Sequence, residues 1–338
     1  MVSGRRSFRK KGQLFDPFGW GGQPPGKTAG QRNPRYVTTG GRWMTTNEIH
    51  PKTVLITGAS SGIGRAAALE LDRRGFRVFA AVRSDQAEAE LRNAGSARLE
   101  IVRLDLTQRE SIDAAVARLR DELQSVGLWG LVNNAGIALT GPVEFLEEEI
   151  WQYQFAVNFF GHVEITKKLI PLLRQAKGRV VNISSISGRI SPPYFGPYTC
   201  SKHALEAFSD VLRVELRRFG IRVIVIEPGN TQTPIWERAQ RFSDEALNRW
   251  QGQLAALAPE VRAIYEADFA AMRKAAERMA RTGGSVDRVV QTIYKALTVR
   301  NPRSRYPVGW WVSAAFKLFA ILPHGLRDRL LCRVLGLP

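Results

Sequence analysis

The segment Thr57-Gly58-Ala59-Ser60-Ser61-Gly62-Ile63-Gly64 lies between an apolar stretch, residues 53–57, and a helical pattern that covers residues 63–74. Glycines here let the backbone turn tightly and approach a pyrophosphate, which then meets the N-terminus of the helix. A glycine motif alone is weak evidence, but the order strand, turn, helix is the context it requires. The segment therefore predicts a dinucleotide site formed by Gly58, Ser60, Ser61, Gly62, Ile63 and Gly64.

Strands and helices alternate downstream of this turn. Further strands are predicted at residues 77–82, 99–104, 128–132, 179–183 and 221–226, and helices at 111–123, about 147–173, 196–218 and 285–297. This alternation predicts an α/β fold, a Rossmann-type doubly wound parallel sheet with helices on both faces. Residues from Thr233 to about Gly283 break the pattern and predict two or three helices. We expect them to form a small substrate lid, about 234–283, since open α/β sheets bind ligands at that end; packing without a binding role is the alternative.

Composition indicates a globular protein in a reducing compartment. The 338 residues are 44% hydrophobic and include two cysteines, Cys200 and Cys332, which suggest no disulfide framework. We expect a cytoplasmic protein, and no apolar run is convincing as a transmembrane helix. No Cys/His cluster has metal-ligand spacing, so no metal is predicted.

The net charge of +18 is uneven. Residues 1–43 hold nine basic residues against one acid and are rich in Gly and Pro, which predicts a disordered basic N-terminal extension. An organelle transit peptide and a natural start at Met44 are alternatives. Elsewhere the basic residues are scattered among acids, as solvated helix faces are, so we expect no nucleic-acid partner.

The tail, residues 306–338, is apolar and basic. It contains Trp310, Trp311 and Phe316, followed by Arg327, Arg329 and Arg333. Short helices of this kind lie in membrane interfaces. Peripheral membrane contact is therefore one interpretation, and packing on the domain or on a partner subunit is the other.

A second segment, Tyr198-Thr199-Cys200-Ser201-Lys202, carries proton-transfer chemistry. A free phenol has a pKa of about 10, too high for base work near neutrality. Lys202 follows Tyr198 by four residues and shares its helix face, so its charge should lower that pKa. With the dinucleotide site, this predicts hydride transfer to or from a carbonyl carbon.

The end of the second predicted strand indicates which dinucleotide is used. A carboxylate there would bond the ribose 2′-hydroxyl of NAD, but the chain reads Ala80-Ala81-Val82-Arg83-Ser84 with no acid before Asp85. Arg83 would clamp a 2′-phosphate, so NADP is preferred over NAD. The alternative is a solvated arginine at a strand end.

These residues resemble the short-chain dehydrogenase/reductase family over about residues 51–300. The matching motifs are TGASSGIG (57–64), LDLT (104–107), NNAG (133–136), Asn158, Ser184-Ser185, YTCSK (198–202) and EPG (227–229). Residues 127–136 and 206–210 are similar to the branch of retinol and hydroxysteroid dehydrogenases. The resemblance implies a catalytic domain over residues 44–305, followed by the tail.

The resemblance also implies roles for individual residues. Tyr198 would be the general acid/base, and Lys202 would also bond the nicotinamide ribose. Ser185 would orient the substrate oxygen, with Ser184 as its competitor, and Asn158 would hold a relay water or serve as a buried structural amide. The remaining cofactor contacts would come from Asp105 and Leu106 at the adenine, Asn134, Ala135 and Gly136 in the cleft, and Pro228, Gly229 and Thr233 near the nicotinamide amide.

We therefore expect an NADP-dependent oxidoreductase that interconverts an alcohol and a ketone or aldehyde on an apolar, steroid-like or retinoid-like substrate. A reductase of small or 3-oxoacyl carbonyl compounds is the alternative within enzymes. A non-catalytic NADP-binding redox sensor is the alternative outside them. Family members pair through two long helices, here about 147–173 and 196–218, so a homo-oligomer is expected.

Overall fold

The computed structural model describes residues 51–337, except the side chains at 279 and 280, and the backbone of two short strands before them. These strands, β1 (Tyr36–Thr39) and β2 (Arg42–Thr45), pair antiparallel. They fall in and beside the stretch predicted to be disordered, where the sequence indicated no strand. The rest of the predicted extension lies outside the described residues.

A seven-stranded sheet organises residues 51–337, and every neighbouring pair of its strands is parallel. Its strands are β3 (Thr53–Ile56), β4 (Arg77–Val82), β5 (Leu99–Arg103), β6 (Gly130–Asn133), β7 (Arg179–Ile183), β8 (Arg222–Pro228) and β9 (Arg305–Val308). The spatial order is β5-β4-β3-β6-β7-β8-β9, which confirms the doubly wound sheet. The order reverses between β3 and β6, where such sheets open a ligand crevice at their carboxyl ends.

Helices cover both faces of this sheet. They are α1 (Gly62–Arg73), α2 (Asp85–Ala94), α3 (Arg109–Leu123), α4 (Glu148–Phe155), α5 (Gly161–Ala176), α6 (Gly196–Leu216), α7 (Pro234–Ala256), α8 (Pro259–Thr282), α9 (Val286–Thr298), α10 (Trp310–Ile321) and α11 (His324–Leu335). Val54 and Ile56 pack with α1, α2 and α9, whereas Leu55 between them packs with α3, α5 and α6. Since both faces are buried, the central strands carry apolar side chains at successive positions rather than at alternate ones.

Two elements were not predicted because their local signal is weak. Helix α2 is short and charged and buries only Ala87 and Leu91; its start is capped by Ser84, which accepts from the Ala87 amide. Strand β9 contains Pro307 and lies at the sheet edge, where a strand is defined by pairing with its neighbour rather than by its own pattern.

The helix predicted over residues 147–173 is interrupted at its centre. A π-helical turn, Ala156–Phe160, separates α4 from α5. Such turns are frequent at functional sites, and this one holds Asn158, whose side chain is fully buried.

The predicted lid is a pair of helices, α7 and α8. Trp250 of α7 is 1% exposed and packs against Phe145, and Tyr265 and Phe269 of α8 complete that cluster. In the tail, Val312 and Phe316 of α10 pack on Ile190. None of the helices in residues 51–337 combines the length and apolar character needed to cross a bilayer.

Candidate active site

The glycine turn after β3 has the geometry of a phosphate cradle. Gly58 and Gly62 have φ angles of +67° and +55°, which other residues rarely adopt. A Cβ at Gly64 would lie 2.2 Å from the Gly58 carbonyl oxygen, so only glycine lets α1 start this close to the turn. The free amides of α1 therefore point at a space that a pyrophosphate fits.

Strand β6 braces this turn from the neighbouring position in the sheet. Thr57 Oγ1 accepts hydrogen bonds from the amides of Asn134 (2.9 Å) and Ala135 (3.0 Å). The Asn134 side-chain amide donates to the carbonyls of Thr57 (2.9 Å) and Gly58 (3.2 Å). Asn134 thus holds the cradle in shape as well as lining the cleft.

One continuous cleft at the carboxyl ends of the strands collects most of the predicted site. Its lining includes Gly58, Ser60, Ser61, Gly62, Ile63, Arg83, Asp105, Leu106, Asn134, Ala135, Gly136, Ser185, Tyr198, Lys202, Pro228, Gly229 and Thr233. Gly64 and Asn158 are the two predicted site residues that do not line the cleft: Gly64 packs against the turn, and Asn158 lies beside Gly136 and Ile137. The residues present thus fit a dinucleotide cofactor along this cleft.

Tyr198 and Ser185 meet at the inner end of the cleft. Tyr198, in the first turn of α6, is 4% exposed, and Ser185 after β7 is 6% exposed. Burial raises the pKa of the Tyr198 phenol, while a hydrogen bond with the Ser185 side chain opposes that rise. Ser184, its predicted competitor, has a buried hydroxyl with no hydrogen-bond partner among the described residues.

Lys202 lies one helical turn beyond Tyr198 and is also buried. Its Nζ donates to the Ile183 carbonyl (2.9 Å) and lies 5.9 Å from the centre of the Tyr198 ring. Burial lowers the pKa of Lys202 to about 8, and the Glu206 carboxylate partly offsets this. The pKa of the Tyr198 phenol is therefore raised, not lowered as the spacing of Lys202 predicted, because desolvation of the phenol dominates.

Asn158 is held by the loop after β6. Its Oδ1 accepts from the Ile137 amide (2.9 Å), and its Nδ2 donates to the Ile137 carbonyl (3.0 Å) and to Ser201 Oγ (3.1 Å). A Cβ built at Gly136 would lie 3.5 Å from Asn158 Oδ1 and 3.7 Å from Lys202 Nζ. The structure therefore brings the Asn158 amide and the Lys202 ammonium to the same point beside Gly136.

The first turn of α7 lines the cleft, which the sequence did not predict. Ile235, Trp236 and Arg238 of α7 line the cleft. The Trp236 ring lies edge-on to Tyr198, with 6.4 Å between ring centres, and its Nε1 donates to the Thr231 carbonyl (3.1 Å). In the sequence, the predicted helix follows Thr233 directly. In the structure, this places the first turn of the lid at the cleft.

A second cavity of about 1130 Å³ adjoins the cleft beneath the lid. Its walls are mostly aromatic and aliphatic, and charged side chains are also present; Tyr194, Phe195, Trp236, Leu247, Trp250, Phe269 and Met272 supply much of the apolar surface. Tyr194 has a φ angle of +67° and donates its hydroxyl to Asp268 of α8. This contact ties the loop before α6 to the lid.

A partly buried charge network lies behind α6, and the sequence did not show that its members meet. Arg305 of β9 contacts Glu206 (3.0 Å), Asp210 (2.8 Å) and Glu227 (3.6 Å). Burial, with repulsion from Glu206, raises the pKa of Glu227 to about 7. Because Glu206 follows Lys202 by one turn, the network fixes α6 to the sheet edge directly behind the ammonium.

The sheet, the glycine cradle and the Tyr–Lys pair together define an oxidoreductase that uses a nicotinamide dinucleotide. The model of the short chain dehydrogenase family matches residues 52–244, and the chain belongs to that family.

Two kinds of curated relatives place the chain within this family. It is 39% identical over 288 residues to retinol dehydrogenase 16 of Mus musculus, covering 84% of this chain and 89% of the relative. It is 38% identical over 299 residues to 17-beta-hydroxysteroid dehydrogenase type 6 of Bos taurus, covering 86% of this chain and 92% of the relative. The predicted branch, that of retinol and hydroxysteroid dehydrogenases, is confirmed.

Solved structures give the same fold with either dinucleotide. A short-chain dehydrogenase of Burkholderia phymatum in complex with NAD superposes with a TM-score of 0.65 at 25% identity, covering 79% of this chain and 92% of that chain. A variant of actinorhodin polyketide ketoreductase with NADPH gives 0.61 at 26% identity, covering 76% and 95%. The fold alone therefore does not select NAD or NADP.

Proposed function

We propose that this short-chain dehydrogenase interconverts an apolar alcohol and its ketone or aldehyde with NADP. The observation that carries the proposal is the junction of the two cavities. Ser185, Tyr198 and Lys202 line the cofactor cleft, and Trp236 of the lid lines both the cleft and the apolar cavity. A carbonyl at that junction reaches the phenol and the cofactor together.

The chain's own residues position the carbonyl and move one proton. When bound, NADPH supplies the hydride. The Ser185 hydroxyl donates to the substrate oxygen, and the Tyr198 phenol gives that oxygen its proton as charge develops on it. Lys202, positive below its pKa of about 8, stabilises the phenolate that remains. Asn158, which like Lys202 lies beside Gly136, would hold the water through which the proton is replaced.

Two observations support the proposed substrate class: the apolar cavity, and the similarity to retinol and hydroxysteroid dehydrogenases. The cavity's aromatic walls and volume of about 1130 Å³ suit a large apolar molecule such as a retinoid or steroid. Small and 3-oxoacyl carbonyl compounds are the second class, since the ketoreductase of similar fold acts on a polyketide. A sensor without turnover would not need a buried phenol beside a buried ammonium, so we place it last.

Oxidation of NADPH and NADH with a panel of carbonyl compounds tests this proposal. The panel runs from short aldehydes and 3-oxoacyl thioesters to retinal and 3-keto and 17-keto steroids. Preference for the large apolar members, by kcat/KM, supports the proposal. Turnover limited to small or 3-oxoacyl substrates would support the alternative, and tight NADPH binding with no turnover would support the sensor.

The NADP preference rests on Arg83 at the end of β4. Its side chain is 55% exposed, faces the cleft and lies 3.9 Å from the Asp105 carboxylate, a distance that leaves the guanidinium free to turn to a phosphate. Arg103, which pairs with Asp85 and Glu88, donates to the Arg83 carbonyl (2.7 Å) and holds the backbone of Arg83 in place. No acid of β4 or the turn after it lines the cleft to bond a ribose 2′-hydroxyl.

Arg83→Ala is expected to raise the KM for NADPH by about 30-fold and leave that for NADH within about twofold, because only NADPH carries the phosphate. Steady-state kinetics with both cofactors measure the change. Arg92→Ala is the matched control, since Arg92 pairs with Glu88 on α2 away from the cleft. An equal effect on both cofactors would contradict the role of Arg83.

We also propose peripheral contact of the tail with a membrane. Trp310 and Ile321 of α10 are 83% and 80% exposed, and Leu318 joins them on the same helix face, opposite buried Val312 and Phe316. The basic residues of α11 follow in the chain. An apolar face of this kind beside positive charge is typical of helices that lie in the headgroup region.

Trp310→Glu with Ile321→Glu is expected to reduce binding to vesicles of phosphatidylcholine and phosphatidylserine at least tenfold, since both changes put charge on the inserted face. Flotation of the protein with such vesicles measures the change. The control is Val261→Glu with Ile264→Glu, two exposed positions on α8. Wild-type protein that fails to float, or a control that loses binding equally, would refute membrane contact.

We also propose that the protein forms a homo-oligomer, on the basis of exposed apolar side chains along two of its helices. Tyr153 and Val211 are 45% and 55% exposed, and Phe160 and Val214 are 60% and 69% exposed. They lie along α4–α5 and α6, the helices predicted to pair, where a second copy would cover them.

A further inference from the structure

The first turns of the lid helix lie against the phosphate cradle rather than over the substrate cavity alone. A Cβ built at Gly62 would lie 3.5 Å from Thr233 and 3.6 Å from Pro234, so the start of α7 is one van der Waals contact from the turn. Arg238, one helical turn later, donates from Nη2 to Ser61 Oγ (3.3 Å). Ser61 is the N-cap residue of α1, the helix whose amides face the cleft.

The Arg238 guanidinium has few partners within the protein. Its side chain is exposed, and within residues 51–337 no carboxylate forms an ion pair with it and only Ser61 shares a hydrogen bond with it. Its Nε and Nη1 are therefore open to a ligand in the cleft that Arg238 lines. A guanidinium presents a planar fork that matches two phosphate oxygens.

We propose that Arg238 is a pyrophosphate ligand that couples dinucleotide binding to ordering of the lid. The guanidinium and the amides of α1 would hold the pyrophosphate from opposite sides. Because Arg238 lies on α7, this contact would hold the start of the helix against the cofactor and order the wall of the apolar cavity. The inference rests on the proposed function. The role of Arg238 differs from that of Arg83, because Arg83 is proposed to bind the 2′-phosphate and Arg238 the pyrophosphate.

Binding of NADPH and of NADH to wild-type, Arg238→Ala, Arg238→Lys and Arg249→Ala proteins tests this, with nicotinamide fluorescence as the readout. Arg249 is the matched control because it is on α7 and exposed but lines neither cavity. We expect Arg238→Ala to weaken both cofactors equally, by about tenfold to thirtyfold. Arg238→Lys should recover part of the loss, and Arg249→Ala should match wild type.

Amide hydrogen exchange of residues 234–256 is the second readout. NADPH should slow exchange in the wild type and in Arg249→Ala but not in Arg238→Ala. Wild-type affinity and protection in Arg238→Ala would overturn the proposal, as would a loss confined to NADPH, which would place the guanidinium on the 2′-phosphate. A wild-type protein that binds neither dinucleotide would overturn the proposed function as well. Tight binding by wild type that is equally tight in Arg238→Ala would overturn only the role of Arg238.

Discussion

Tyr198→Phe is expected to lower kcat for carbonyl reduction by about 10³-fold and to leave the affinity for NADPH within about twofold. The variant keeps the ring, which is 4% exposed and lies beside Trp236, and removes only the hydroxyl. General acid catalysis contributes about 10²–10⁴-fold, and the phenol is the proposed donor of that proton. Stopped-flow measurement of a single turnover with bound NADPH isolates the chemical step.

Tyr294→Phe is the matched control, because it makes the same chemical change on α9, at a residue that lines neither cavity and lies outside the helices proposed to pair. It should retain wild-type kcat. A thermal melt of both variants checks that the fold is kept. Near-wild-type turnover by Tyr198→Phe would remove the phenol from the mechanism and shift the role of acid to another group in the cleft.

The parts of the fold that the sequence predicts are those whose signal is local. Six of the seven strands in the large sheet have an apolar run bounded by turn residues, and the structure has each within about two residues of its predicted ends. The glycine turn and the Tyr198–Lys202 pair are also local, since a strand-to-helix turn and an i,i+4 spacing determine their geometry.

The rest depends on contacts between distant segments. Strand β9 exists through its pairing with β8, 77 or more residues earlier in the chain. Arg238 and Ser61, which are hydrogen-bonded, are 177 residues apart in the chain, and Arg305 and Glu206 are 99 residues apart. The raised pKa of Tyr198 follows from burial under the lid, which no spacing in the sequence expresses.

Lys202→Met is expected to lower kcat/KM for carbonyl reduction by about 10²–10³-fold. The change keeps an unbranched side chain, one atom shorter, but removes the charge beside the phenolate and the donor to the Ile183 carbonyl. It should not unfold the protein. Burial lowers the pKa of Lys202 to about 8 from 10.5, so the buried ammonium opposes folding at pH 7 by an amount on the order of 3 kcal/mol. The Ile183 hydrogen bond returns only about 1 kcal/mol.

The pH dependence separates the charge of Lys202 from its packing. Because the folded pKa lies below the unfolded value, wild-type stability should rise as pH increases from about 8 to about 10.5, while kcat/KM falls above pH 8 as the ammonium is lost. In Lys202→Met both trends should disappear, and its melting temperature at pH 7 should equal or exceed that of wild type. Lys202→Arg, which keeps the charge, should recover part of kcat/KM and show no fall near pH 8. A wild-type profile that stays flat to pH 10 would show that the protonation state of Lys202 has no part in the rate, and would leave its side chain only a structural role.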